Sequence, residues 1–338
     1  MTEKKKLTEI YDAAYRFIDA AIWKEFHDDE IFGVLTESGG TVFCSVLGHN
    51  GECFALNMYL GKTGWNSYLR LHYDALSIAE QQEFLFHQVC LQVAYDEIED
   101  IHPGSFEQLK DYAKARKMPL DGPRYANFVK YEKLKMPWPI RNDSDFKIVK
   151  ECLDAALHVA ELRKSGELKM ERFYEHHQVP VFKKENGSYT KRWVAVASKH
   201  DWNFKAPLSK EYSLVKNSSK RGTLYCDLVF LPMPIQGKGR AASGAPAFPL
   251  GLMAITDKDV FLQMEPLLCY EKEPGKFIDV LATGMTQNKY FPKKIVVRNE
   301  RTFKLLYGFC LLNGIDLDLG ELKYIDDAYM FLLEQMGK

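Results

Sequence analysis

TLYCDLVFL, residues Thr223–Leu231, is the stretch on which the reading of this chain turns. It is an apolar run of strand length, rich in Leu, Val, Tyr and Phe, and it carries one carboxylate, Asp227, at its centre. A carboxylate inside a buried strand needs either a ligand or local hydrogen bonds to offset its desolvation. Downstream, Pro249–Thr256 and Val260–Glu265 read as a hairpin around Asp257-Lys258-Asp259, followed by a helix within Gly275–Met285. Lys294–Arg298 is a short strand with an all-apolar middle, the pattern of a strand buried on both faces. The next helix places Phe303, Leu306, Tyr307, Cys310 and Leu311 on one side and stops at Asn313-Gly314. Ile315, Leu317 and Leu319 then alternate with Asp316 and Asp318, and a last helix buries Ile325, Ala328, Tyr329, Leu332 and Leu333. Three strands, then helix and strand in alternation, predict a mixed sheet whose later strands run parallel through right-handed crossovers.

The first part of the chain reads as α+β. An amphipathic helix over Thr8–Glu25 precedes strands at Ile31–Leu35, Thr41–Leu47 and Cys53–Leu60, the last two joined through an Asn50-Gly51 turn. A short helix with Trp65, Tyr68 and Leu69 follows, then a helix at Ala79–Phe86, a strand at Val89–Tyr95 and a helix at Phe106–Lys117. Residues 118–142 contain Pro119, Gly122, Pro123, Pro137 and Pro139 and read as a long loop or domain connection. A strong helix at Asp143–Leu162 and a hairpin turning at Asn186-Gly187 come next. The expected fold class is α+β: an acidic, mostly antiparallel domain over 1–140, a helix and basic hairpin over 141–220, and a mixed sheet over 221–338.

With 338 residues, 46% apolar and 27% charged, the chain is long enough for two cores and is not compositionally disordered. No apolar run approaches the ~18 residues of a membrane span. Seven cysteines with no CxxC pair argue against a disulfide framework and a zinc ribbon, and they suit a reducing cytoplasm. The net charge of -1 conceals a division: residues 1–100 hold 7 basic and 17 acidic side chains, while Lys183–Arg221 holds ten basic residues against Glu185, Asp201 and Glu211.

From about Gly222 to Met336 the chain resembles ribonuclease-H-like and integrase-type domains in its order of elements and in Asp227, with IVVRNERTF where such domains place an acid at a strand end. Over most of its length, in segments such as IYDAAYRFIDAAIWKEFHDDEIFGV and SVLGHNGECFALNMYLG, it also resembles uncharacterised bacterial proteins of two-domain build. The first resemblance implies strand-end acids converging on divalent metal, Mg2+ or Mn2+, for phosphoryl transfer. On that pattern the catalytic candidates are Asp227, Asn299 and Glu300, and the metal candidates are Asp227, Glu300, Asp326 and Asp327, with Glu265 and Glu271 as further acids. Asn299 stands where the second acid belongs, and an amide brings no charge to balance a metal, so a degenerate domain is expected.

Elsewhere, Gly237-Lys238-Gly239-Arg240-Ala241-Ala242 has dinucleotide-loop spacing, but Ser243-Gly244-Ala245-Pro246 does not open a helix. Glu175-His176-His177 lacks metal-ligand spacing, and neither Cys44 nor Cys53 shows a histidine partner in sequence. The basic stretch interleaves aromatics with cations, a composition that suits single-stranded nucleic acid. Its candidate contacts are Lys191, Arg192, Trp193, Lys220 and Arg221, with Lys238 and Arg240 further on. The competing reading is a packed strand with lysines as solvent cover. The leading expectation is a non-catalytic binding or scaffolding protein with a protein or nucleic-acid partner and no membrane. The alternatives are a metal-dependent nuclease or phosphotransferase, and a small-molecule enzyme with a site between its domains.

Overall fold

The structure is a computed structural model that describes residues 3–72, 77–199, 220–236, 244–258, 261–263, 266–268 and 274–336. The chain forms two α+β units. Unit 1 comprises Met1–Tyr73, His87–Lys133 and Pro137–His200, and unit 2 comprises Asp74–Phe86, Leu134–Met136 and Asp201–Lys338.

Unit 1 is built on an eight-stranded sheet. Strands β1 (Phe32–Leu35), β2 (Thr41–Leu47), β3 (Ala55–Leu60), β4 (Cys90–Asp96), β5 (Tyr125–Tyr131) and β6 (Trp138–Pro139) pair antiparallel in sequence order. Strand β7 (Gln178–Glu185) joins β1 in parallel, and β8 (Ser188–Ala195) closes that side as a hairpin partner of β7. Helices α1 (Glu3–Asp19), α4 (Pro103–Arg116) and α5 (Asp143–Lys164) cover one face, burying Tyr11, Phe17, Phe128, Leu153 and Val159. Helix α2 (Gly61–Leu71) and the single turn α6 (Phe173–His176) cover the other, around Trp65, Tyr68, Phe173 and Val181. Asn142 caps α5, its side-chain oxygen accepting the Asp145 N–H at 2.7 Å.

The proline-rich stretch expected to be a loop holds β5 and β6. Its prolines lie outside Tyr125–Tyr131, whose Ala126 and Phe128 reach the core, and Pro139 sits in an edge strand, where a missing N–H does no harm. Helix α1 stops at Asp19 rather than at Glu25, and Ala21 in the left-handed region (φ 49°) redirects the chain into a 3-10 turn at Ile22–Glu25.

Unit 2 contains a sheet of order β11-β10-β9-β13-β14. Strands β9 (Thr223–Phe230), β10 (Leu250–Thr256) and β11 (Phe261–Gln263) are antiparallel, with β12 (Pro266–Leu267) also on β10; β13 (Lys294–Val297) and β14 (Asp316–Leu319) add in parallel beside β9. The expected succession of three antiparallel strands and alternating helices is therefore present. Helices α7 (Gly275–Gln287) and α8 (Glu300–Asn313) bury Phe277, Leu281, Leu305 and Phe309 on one face. Helix α9 (Lys323–Met336) buries Ile325 and Tyr329 on the other, where Ala79 of α3 (Ile78–Phe86) joins it.

The units do not follow the three sequence segments expected. Residues 141–199 complete unit 1, because β7 pairs with β1 and α5 fills the same core as α1. Conversely, α3 lies within the N-terminal segment of sequence yet belongs to unit 2. Periodicity marks which face of an element is buried, not which sheet it joins.

Candidate functional site

The parallel register of β9 and β13 builds the centre of unit 2. Val297 lies beside Cys226, so the next rung brings Arg298 beside Asp227. Asp227 is 2% exposed. The Arg298 Nε donates to Asp227 Oδ2 at 2.8 Å, and Arg298 Nη2 donates to Asp326 Oδ1 at 2.5 Å. The other Asp227 oxygen accepts from the Leu228 N–H at 2.9 Å and from Thr302 Oγ1 at 3.4 Å. Burial pushes the Asp227 carboxyl up, while Arg298, Arg301 and the Leu228 N–H pull it back.

Asn299, the residue at the strand end, caps α8. Its Oδ1 accepts the Thr302 N–H at 2.9 Å, and its Nδ2 donates to Glu80 on α3 at 2.9 Å. An asparagine suits this post because it accepts on one side and donates on the other; an aspartate here would face Glu80 with like charge. Two residues on, Arg301 forms an ion pair with Glu83 of α3, the two side chains 1% and 0% exposed. Gln82 accepts from the Tyr329 hydroxyl at 2.9 Å, and Phe86 packs its ring on Phe230 and Phe248. Helix α3 thus supplies three polar partners to unit 2.

Of the remaining predicted acids only Asp326 comes near Asp227, with the Arg298 guanidinium bonded to both. Glu300 is exposed and pairs with Lys304 at 2.7 Å, one turn along its own helix. Asp326 is held by Arg298, and Asp327 is exposed on α9. Among the described residues no group of three or more His, Cys, Asp or Glu is placed to hold a metal ion. Glu265 and Glu271 lie outside the described residues.

The basic candidates divide. Lys191, Arg192 and Trp193 are consecutive on β8 and all exposed. Lys220 is structural: its Nζ donates to the Asn313 and Gly314 carbonyls, the open C-terminus of α8. Arg221 is exposed, and its backbone N–H donates to the Phe291 carbonyl at 2.9 Å. Lys238 and Arg240, with the rest of the Gly237–Ala242 motif, lie outside the described residues.

Cys53 does have histidines nearby: it lines a recess of about 180 Å³ with His27 and His49, whose rings lie 4.0 Å apart. Burial and Asp96 push its thiol up, against Arg124, which leaves little of the nucleophilic thiolate at neutral pH. His176 pairs with Glu171 at 2.9 Å on the surface.

Comparison with known families divides the chain in two. Residues 8–181, just over half of it, match the model of a domain of unknown function, DUF7309. The chain belongs to the DUF7309 family. A second domain of unknown function, DUF6930, matches residues 212–333. No curated protein and no solved structure matches the chain. The DUF7309 segment includes α3, so the family boundary cuts across unit 2.

Sequence reading missed Arg298, Glu80, Glu83 and Arg301. Arg298 directly follows its strand, and only the register of β13 on β9 places it beside Asp227. The partners from α3 carried no local signal, being over 200 residues away in sequence.

Proposed function

We propose that this chain is a non-catalytic binding or scaffolding protein of the bacterial cytoplasm, and that its C-terminal unit is a degenerate ribonuclease-H-like domain. The observation that carries this reading is Arg298, whose one guanidinium reaches both Asp227 and Asp326. A nuclease of this fold needs its first-strand carboxylate free to ligate Mg2+ or Mn2+. Here a side-chain cation neutralises it, and the amide of Asn299 is committed to capping α8 and bonding Glu80. The strand order and the position of Asp227 support the ribonuclease-H-like part of the reading. With the acidic centre closed, function moves to the surface, where the exposed basic strand β8 faces solvent for a protein or nucleic-acid partner. Among the described residues, no helix is long and apolar enough to cross a membrane.

The test is a titration of wild type and Asp227→Asn with Mg2+ and then Mn2+, read as thermal stabilisation, alongside an oligonucleotide cleavage assay. Ligand at a hundredfold its Kd would stabilise the folded state by about 2.7 kcal/mol. The expected result is no metal-dependent stabilisation that Asp227→Asn abolishes, and no cleavage. Stabilisation confined to wild type, with metal-dependent cleavage, would replace this reading with that of a nuclease or phosphotransferase.

A further inference from the structure

The two edges of the unit 1 sheet differ. On one side β6 is two residues long and contains Pro139, a short edge of the kind that resists pairing. On the other, β8 runs for eight residues with no proline, and its pairing with β7 is continuous from Glu185↔Ser188 to Gln178↔Ala195.

The hairpin register fixes which backbone groups of β8 point outward. The turn is two residues, Asn186 and Gly187, both at positive φ (49° and 84°), so Glu185 and Ser188 form a hydrogen-bonded pair. Hydrogen-bonded and open pairs alternate along an antiparallel ladder, so the even-numbered residues of β8 bond to β7. The Val196 N–H donates to the His177 carbonyl at 2.9 Å, which continues the same parity, and Pro180, which has no N–H, falls in an open pair opposite Trp193. Tyr189, Lys191, Trp193 and Ala195 therefore turn their N–H and C=O groups to the free edge. Among the described residues no backbone partner meets them there.

The side chains along this edge are cationic. Glu185, the one acid in the hairpin, is held by Lys183 at 2.6 Å, and Lys191 and Arg192 have no ion-pair partner among the described residues. Being adjacent on a strand, Lys191 and Arg192 point to opposite faces of the sheet, and Trp193, 45% exposed, shares the Lys191 face.

We infer that the free edge of β8 takes an added strand: an extended segment of a partner protein carrying two adjacent acids flanked by β-branched residues. Main-chain bonds at Tyr189, Lys191, Trp193 and Ala195 would hold it, as in strand addition generally. Two adjacent acids on the incoming strand point to opposite faces, so each meets one of Lys191 and Arg192, and an apolar neighbour covers Trp193. A second copy of β8 does not fit, because antiparallel self-pairing would bring Lys191 and Arg192 of both copies together. Nucleic acid is the weaker candidate, since its phosphates could accept from single outward N–H groups but offer no donors in step for the outward C=O groups, and so cannot continue the ladder. This inference rests on the chain being a binding protein and not on the state of Asp227, so its test and the metal titration fail separately.

The probe is the synthetic peptide acetyl-Thr-Val-Glu-Glu-Val-Thr-amide, with a copy N-methylated at alternate residues and an oligothymidylate as comparisons. Bound to the full chain, the unmodified peptide should slow hydrogen exchange at the amides of Tyr189, Lys191, Trp193 and Ala195, while the even-numbered amides, already bonded to β7, change little. The N-methylated peptide, unable to complete the ladder, should bind at least about tenfold more weakly, the scale of one or two lost hydrogen bonds. Lys191→Pro should weaken binding by a similar factor without disturbing β7, because the N–H it removes points to solvent, and Lys191→Gln should show how much of that is charge. The inference is overturned if the peptide does not bind, if N-methylation leaves binding unchanged, or if only the oligothymidylate protects the edge. In the first of these cases Lys191 and Arg192 simply guard an exposed strand.

Discussion

Asp227 and Arg298 have side chains 3% and 9% exposed, so the pair exchanges two hydration shells for one contact and a few hydrogen bonds. In such sites the desolvation of each ion rivals the attraction between them, and removing one partner costs roughly 3–5 kcal/mol. The direction of the Asp227 shift is upward, so burial outweighs the pull of Arg298. A carboxyl raised in the folded state holds its proton more tightly folded than unfolded. It favours folding as pH falls through its folded value towards the unfolded value near ~4, and it costs stability above that window. Arg298→Met removes the pull of the paired guanidinium and widens the window. The variant should lose roughly 3–5 kcal/mol at pH 7 and regain part of that by about pH 5, where ordinary carboxylates are still ionised. Denaturant unfolding at the two pH values measures this, and a loss of equal size at both would mean that Asp227 is not the group left unpaired. Asp227→Asn should be milder. An amide offers one acceptor oxygen where the carboxylate receives three donors on two oxygens, Arg298 Nε on one and the Leu228 N–H and Thr302 Oγ1 on the other, and one unpaired donor costs about 1–3 kcal/mol.

At the scale of elements, α8 and α3 define each other. The N-cap Asn299 ties the first turn of α8 to Glu80, and Arg301 ties it to Glu83. Glu83→Ala leaves a buried guanidinium without its carboxylate and should cost unit 2 roughly 3–5 kcal/mol, whereas Glu83→Leu combined with Arg301→Met, which keeps the volume and removes both charges, should be close to neutral. Comparing the unfolding midpoints of the two variants separates lost charge pairing from lost packing; equal destabilisation would show that packing dominates. Asn299→Ala removes both a cap and the bond to Glu80 and should cost about 1–2 kcal/mol. These elements also mark how far the sequence could be read. Strands and helices of unit 2 were legible because each carries its own period, as in the alternation of Ile315–Leu319 and the stop of α8 at Asn313-Gly314. The buried side of α8, however, is turned from the expected stripe: Leu305 and Phe309 are buried, while Tyr307 and Leu311 are exposed. Asp227 stood out because a charge interrupts an apolar run. The partner that neutralises it was not legible, since Arg298 follows its strand like any polar residue until the register of β13 on β9 is known. Strand β5 was hidden for a related reason: prolines on both sides made the whole interval read as loop, although Tyr125–Tyr131 itself contains none.

Across the whole chain, unit 2 is assembled from three separate pieces, 74–86, 134–136 and 201–338. The short middle piece is bound into it by backbone: the Leu134 N–H donates to the Phe86 carbonyl at 2.6 Å, the Phe248 N–H to the Leu134 carbonyl at 2.8 Å, and the Met136 N–H to the Pro246 carbonyl at 2.9 Å. The family segment that begins at residue 212 therefore lacks two of the three pieces of unit 2. A chain comprising residues 201–338 alone lacks α3 and leaves Arg301 buried without Glu83. That loss of roughly 3–5 kcal/mol is comparable with the ~5–15 kcal/mol that holds a whole domain together. Such a fragment should lack a cooperative unfolding transition and bind a hydrophobic dye. Co-expressed with residues 1–200, it should regain the transition and co-purify, because the separate chain then supplies α3 and Leu134. A fragment 201–338 that unfolds cooperatively by itself, at the midpoint it shows in the intact chain, would mean that α3 docks on a finished domain rather than completing it.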